Sequence, residues 1–164
     1  MSRRLRLNGV MKKDMTQMSP RQKLLCWAYA LIALWALLGT WGHNVGYMSL
    51  GMVGANLRFW QDTLANPASR SITVDIALFG LAVWVWMIGE ARRLRLRGVW
   101  WYVLASLLIA VSVAVPVFLI QRERAKARVG EGGRDPGLRR ADWAGLALIA
   151  VVSAGYTGKS FGWF

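Results

Sequence analysis

The sequence predicts an all-α integral membrane protein: a bundle of three transmembrane helices, a fourth C-terminal span and an interfacial helix. Of the 164 residues, 55% are hydrophobic, and they gather in long uncharged blocks rather than at the periodic spacing of a soluble domain. The formal charge of +13 falls mostly between these blocks. The apolar content excludes intrinsic disorder, and a single cysteine, Cys26, excludes a disulfide scaffold.

The first block runs from Leu24 to Trp41, 18 residues without a charge, close to the roughly 20 that cross a bilayer. It follows residues 1–23, a basic N-terminal extension, and so has the position of a signal peptide. Its long apolar core, its three Trp and the lack of a small-residue cleavage site favour an uncleaved anchor instead.

The second span is predicted from Ser71 to Gly89, with Pro67 and Ser69 ahead of it as a start signal and basic residues after it. Val99 to Ile120 is predicted as the third span. Aromatic residues stand at its start, as in the aromatic belts found at membrane interfaces. Pro116 should kink or loosen its last turns, because proline lacks an N–H and clashes with the preceding turn.

Three other segments lie outside the predicted first three spans. Val53, Leu57, Trp60 and Leu64 recur at helical spacing and predict a helix lying in the membrane interface. Residues 129–142 predict a flexible loop after the membrane domain of residues 24–128. Residues 143–164 fit a fourth span, but also a half-span or a helix buried in a partner.

The predicted location is a cytoplasmic (inner) membrane with the N-terminus in the cytoplasm, because the first helix usually dominates orientation, but four spans distribute the basic residues poorly. Seven precede span one, two lie between spans one and two, four follow span two, seven follow span three, and Lys159 is last. Twelve would then lie inside and nine outside, a weak bias for the positive-inside rule. Either residues 45–60 also cross the membrane, or the loop of residues 121–142 is bound by something other than cytoplasmic lipid.

Asp75 is the first candidate for chemistry, since an ionised carboxylate within an apolar segment costs several kcal/mol unless it is paired or solvated. Glu90 lies on the same helical stripe, with Trp86 between them. This stripe suggests a buried site that binds a polar group or relays protons, with Arg122 or Arg124 as counter-charge. Alternatively, Asp75 stands one turn into its helix, where the dipole and interfacial water favour it, and Glu90 forms a surface ion pair with Arg92 or Arg93.

The remaining candidates favour lipid over metal or nucleic acid. Trp84, Trp86, Trp100 and Trp101 stand near basic side chains, as at anionic lipid head groups. The basic residues border spans instead of forming one folded face, so nucleic acid is not an expected partner. No metal site or cofactor is predicted; His43 is a candidate only as a single axial ligand of a haem or pigment, or else a hydrogen-bonded loop residue.

The chain resembles an uncharacterised bacterial three-span membrane family, the domain of unknown function 2834. The likeness covers about residues 20–128 and lies in five motifs: FW-x-D-x-x-x-NP-x-S from Phe59, Asp75 in the second span, W-x-W-M-x-x-EARR from Trp84, WWY from Trp100 and P-x-FL-x-x-R-x-R from Pro116. The resemblance implies a compact three-helix bundle and no established activity.

Two functions follow as hypotheses. The first is a non-catalytic accessory or structural subunit of a larger respiratory, photosynthetic or transport complex, with other membrane subunits and anionic lipids as partners. It is favoured because the sequence has no complete catalytic set. The alternative is a small integral enzyme or binder of an isoprenoid, carotenoid or other pigment, with Asp75 as acid and Trp84 and Trp86 beside the substrate.

Overall fold

The computed structural model describes residues 18–131 and 138–162, and the regular secondary structure in them is entirely helical, which confirms the all-α prediction. In chain order the helices are α1 (Pro20–Asn44), a 3-10 helix (Val45–Leu50), α2 (Gly51–Asp62), α3 (Pro67–Arg93), α4 (Val99–Leu108), α5 (Val111–Arg128) and α6 (Arg140–Ser160). Most of the predicted N-terminal extension and the centre of the predicted 129–142 loop lie outside the described residues. Helices α1 to α5 belong to one compact unit and α6 to a second.

The start of α1 is determined by a local capping sequence. The Ser19 hydroxyl accepts a hydrogen bond from the Gln22 backbone N–H at 3.3 Å, and the Gln22 side-chain oxygen accepts one from the Ser19 N–H at 3.0 Å. This reciprocal pair is a capping box, and Pro20 occupies the first helical position, where its missing N–H costs nothing. The helix therefore begins four residues before the predicted span.

Helix α3 begins in the same way. Asn66 accepts a hydrogen bond from the Ser69 N–H at 2.9 Å, and Pro67 takes the first helical position. The predicted start signal is thus correct, but it forms the first turn of the helix rather than preceding it. The 27 residues of α3 extend about 40 Å.

Two helical stretches among the described residues are long and apolar enough to cross a membrane. They are Pro20–Asp62, which contains α1, and Pro67–Arg93, which is α3; their most apolar windows have mean hydropathies of 1.8 and 2.0. Only 6% and 11% of the residues in these windows are buried by protein. The core helix of a soluble protein would instead be mostly buried.

The prediction of one continuous third span is wrong. Helix α4 ends at Leu108, Ala110 is extended with φ −175° and ψ 141°, and α5 begins at Val111. The rings of Tyr102 and Phe118, which lie at nearly equal distances along the chain from this break, have centroids 5.5 Å apart. Helix α5 therefore folds back along α4, and the two form an antiparallel pair, the α4–α5 hairpin.

Pro116 also acts differently from the prediction. It lies within α5, five residues after the helix start at Val111, rather than loosening the last turns of a long helix. A proline deep in a long helix removes one backbone hydrogen bond and clashes with the preceding turn, and this cost is lowest near a helix start. The break before Val111 therefore leaves little helix ahead of Pro116 to be disrupted.

The buried core is small and lies where the hairpin meets the second half of α3. Met87 and Phe118 are both 0% exposed, and Ala91 is buried beside them. Helix α1 packs along the other side of α5. Many large apolar side chains of α1 and α3 remain more than half exposed, among them Trp27, Leu31, Leu38, Val74, Leu78, Phe79 and Val85. This surface is what a lipid or protein environment in a membrane would cover.

The amphipathic segment after α1 does form a helix, α2, as predicted. Its end is linked to the 3-10 helix by a hydrogen bond that the Tyr47 hydroxyl donates to Asp62 at 2.9 Å. Within α2, Arg58 pairs with the same carboxylate at 3.2 Å. The Phe59 ring meets Tyr47 edge-on at 6.2 Å. The position of α2 at a membrane interface stays a prediction.

Candidate functional site

Charged and polar side chains meet at one end of the helix bundle. We call them the polar cluster: Gln22, Glu90, Arg93, Arg122, Glu123, Lys126 and Glu131. The α4–α5 hairpin brings them together, because it returns the last turns of α5 to the last turns of α3. The first turn of α1 joins them, since Gln22 bonds to Glu123.

Arg122 is at the centre of the polar cluster. Its Nε donates to Glu90 at 2.6 Å, and its Nη1 donates to Glu123 at 2.8 Å. The guanidinium carbon lies 5.8 Å from the centre of the Trp86 ring, within the range of a cation–π interaction. The Arg122 side chain is 22% exposed. One guanidinium thus links α3 to α5 through a carboxylate and an aromatic face.

Both oxygens of Glu90 are occupied. Arg93 donates to them through Nε at 2.8 Å and Nη2 at 2.9 Å, in addition to the bond from Arg122. The Glu90 side chain is only 10% exposed, so this ion pair is more buried than the expected surface pair. Arg93 also donates to Glu131 at 2.7 Å. The structure pairs Arg122 with Glu90 rather than with Asp75.

Sequence reasoning missed the most buried part of the polar cluster. Glu123 is 3% exposed and Gln22 is 3% exposed. The Gln22 amide donates to the Glu123 backbone oxygen at 3.1 Å and to its carboxylate at 3.4 Å. Lys126 lies 3.6 Å from Glu123. The spacing of Glu123 and Lys126 at i, i+3 was the available signal, whereas nothing in the sequence linked Gln22 to them.

The polar cluster is suited to holding helices in register. Its buried carboxylates are paired with cations and accept hydrogen bonds, as buried charges require. Three guanidinium N–H groups donate to the Glu90 carboxylate, which makes it a poor base. The arrangement therefore joins α1, α3 and α5 at one end.

Asp75 lies apart from this cluster. It is on α3, eight residues after Pro67, which is about 12 Å along the axis, and about 22 Å from Glu90 by the same measure. The favourable helix dipole is confined to the first turn, so the dipole part of the alternative explanation is wrong, while access to interfacial water stays a prediction. The residue is exposed and makes no hydrogen bond or ion pair with other described residues.

The other predicted site residues are dispersed. Trp100 and Trp101 are 65% and 73% exposed at the start of α4. Trp84 is half-buried over Gly80, and its indole N–H is buried without a partner in the described part of the chain. Arg124 is exposed on α5, and His43 is exposed in the last turn of α1. Within residues 18–131 and 138–162, no three His, Cys, Asp or Glu side chains lie together as a metal site requires.

The α4–α5 hairpin carries a shallow groove of about 260 Å³. Its lining is apolar: Trp101, Tyr102, Ala105, Ile109, Val113, Ala114 and Val117. Neither Asp75 nor Trp84 is among these residues. The groove therefore has an apolar surface for a hydrocarbon chain and contains no carboxylate.

Comparison with curated proteins and with solved structures gave no match. The family model described as "Protein of unknown function DUF2834" matches residues 28–124. This range contains α1 from its third turn, α2, α3, the hairpin as far as Arg124 and the centre of the polar cluster. It is more than half of the chain and agrees with the motifs quoted above. The chain is therefore a member of the DUF2834 family.

Proposed function

We propose that the protein is a non-catalytic accessory subunit of a larger bacterial membrane complex, respiratory, photosynthetic or transport. The observation that carries this proposal is the division between the polar cluster and the apolar surface. The buried charges neutralise one another, while α1 and α3 expose long apolar faces. Such a subunit supports an assembly through its packing surfaces and supplies no reactive group.

The alternative is a binder or enzyme for an isoprenoid, carotenoid or other pigment, and the groove on the hairpin favours it. An acid role for Asp75 is poorly supported. Trp84 is nine residues further along α3 and so lies on the opposite side of the helix from Asp75, and Trp86 is about 16 Å away along the axis. The proposed acid and its aromatic walls are therefore not assembled around one substrate position.

We further propose a topology in the bacterial inner membrane. The N-terminus is cytoplasmic, α1 crosses outward, α3 crosses back, and the α4–α5 hairpin re-enters from the cytoplasmic side. Helix α4 has 10 residues and extends about 15 Å, half of the roughly 30 Å hydrocarbon thickness. The two ends of the hairpin lie at the same end of the bundle, since Arg122 contacts Glu90.

This topology resolves the poor charge bias of a four-span arrangement. The seven basic residues up to Lys23, the four from Arg92 to Arg97 and the seven from Arg122 to Arg140 all become cytoplasmic. That is eighteen inside against two outside, Arg58 and Arg70, with Lys159 unassigned, which agrees with the positive-inside rule. The exposed basic side chains at this end then face anionic lipid phosphates; among them are Arg92, Arg95, Arg97 and Arg124.

Single-cysteine labelling tests the topology. In a Cys26→Ser background, Met52→Cys and Val129→Cys place thiols at exposed positions and are treated with a membrane-impermeant maleimide in cells with a permeabilised outer membrane. We expect labelling of position 52 in intact cells and of position 129 only after lysis. Labelling of position 129 from outside would show a full third span and overturn the hairpin topology.

Purification in a gentle detergent tests the accessory role. We expect the chain to migrate with other subunits at a native mass well above that of a dimer. Migration only as a monomer or homodimer would contradict the proposal. Loss of pigment or isoprenoid turnover in Asp75→Asn, with a stable protein, would instead support the alternative.

A further inference from the structure

The first half of α3 stands outside the packed bundle. From Pro67 to Phe79 its residues are exposed, except for the half-buried Ser69 and Thr73. The buried positions of this helix, Gly80, Met87 and Ala91, all lie in its second half. The reason is the length of the hairpin, which covers α3 only near the end that carries the polar cluster.

Asp75 lies within this uncovered half. Its neighbours on the same face, Leu78 and Phe79, are 63% and 61% exposed, so the carboxylate is surrounded by apolar surface. The basic residue closest to it on α3, Arg70, donates to the Leu64 backbone oxygen at 2.9 Å at the helix start. An ionised carboxylate on such a face requires a cation or a water-filled surrounding. The face therefore has a charge that a complementary partner would have to match.

We propose that the first half of α3 docks a transmembrane helix of a partner subunit, and that this helix carries a lysine or arginine at the depth of Asp75. The proposal rests on the accessory role above and names the chemistry of the partner. A second copy of this chain fits less well. In a parallel two-fold pair built on this face, Asp75 of one copy lies at the same depth as Asp75 of the other, which places two like charges in an apolar environment.

Photo-crosslinking in native membranes tests this docking. The crosslinker benzoylphenylalanine replaces Phe79, one turn after Asp75, and Leu31 on α1, 63% exposed, serves as the control position. We expect an adduct from position 79 whose crosslinked peptide comes from a transmembrane helix with a Lys or Arg. Asp75→Asn should reduce this adduct at least fivefold, while the matched control Asp62→Asn should leave it unchanged. Asp75→Lys should abolish it, and reversal of the partner's basic residue to Asp should restore it.

Other outcomes overturn the inference. An adduct that Asp75→Asn leaves unchanged would show docking without charge recognition, and an adduct between two copies of the chain would show a homodimer. Lipid adducts alone at position 79 would show that lipid covers this face. If the chain still migrates in a large complex in any of these cases, only the inference fails. A monomer in gentle detergent would remove the proposed function as well.

Discussion

Replacing Arg122 by Gln should be the most destabilising exchange of a charged residue in the bundle. The guanidinium makes two charge-assisted hydrogen bonds, to Glu90 at 2.6 Å and to Glu123 at 2.8 Å, and removing one partner of a buried pair costs about 3–5 kcal/mol. Because the Arg122 side chain is 22% exposed, water screens part of this loss, and about 3 kcal/mol is expected. For a chain of this size that is about 6–12 °C in Tm.

The measurement is thermal unfolding in detergent, followed by circular dichroism and tryptophan fluorescence. Arg124→Gln, which changes an exposed neighbour on the same helix, is the matched control and should move Tm by less than about 2 °C. In the double variant with Glu90→Gln, the loss should be about 1–2 kcal/mol smaller than the sum of the two single losses, because either single change already breaks the bond between these two residues. A Tm for Arg122→Gln equal to that of the control would refute the assignment of the polar cluster as the link between α3 and α5.

Three further substitutions test other parts of the bundle by the same unfolding assay. Phe118→Ala removes a fully buried ring that contacts Tyr102 and should cost about 3–5 kcal/mol; a loss below about 1 kcal/mol would contradict its place in the core. Gly98→Ala should cost about 1 kcal/mol, because Gly98 has φ +77°, where a side chain is strained; equal stability would show that the turn into α4 relaxes freely. Tyr47→Phe removes the 2.9 Å bond to Asp62 and should cost about 0.5–1.5 kcal/mol, whereas a larger loss would mean that α2 depends on this one contact.

The signals for the starts of α1 and α3 are contained in a few adjacent residues, although only the signal before α3 was predicted. Ser19 with Pro20, and Asn66 with Pro67, supply an acceptor for free N–H groups and a residue with a preset φ. The amphipathic spacing around Leu57 likewise predicted α2. Such signals act within one turn of the chain, so the sequence is sufficient to read them.

The break at Ala110 had no comparable signal. Residues 99–120 are uniformly apolar, and a continuous helix and a hairpin bury the same kinds of side chain. The packing of Phe118 against Tyr102 and Met87 decides between them. The poor charge bias of four spans suggests an additional crossing of residues 45–60 or binding of the loop of residues 121–142, and neither interpretation points to a break at Ala110.

The sequence by itself determined the helical class, the family, the two long apolar helices and the presence of an isolated carboxylate at Asp75. These depend on composition, periodicity and short motifs. The tertiary structure decided which charges meet: it pairs Arg122 with Glu90 and Glu123, brings Gln22 to them, and leaves Asp75 exposed. Contacts between residues about 30 to 100 positions apart depend on how the helices fold back on one another, and one extended residue at Ala110 sets that direction.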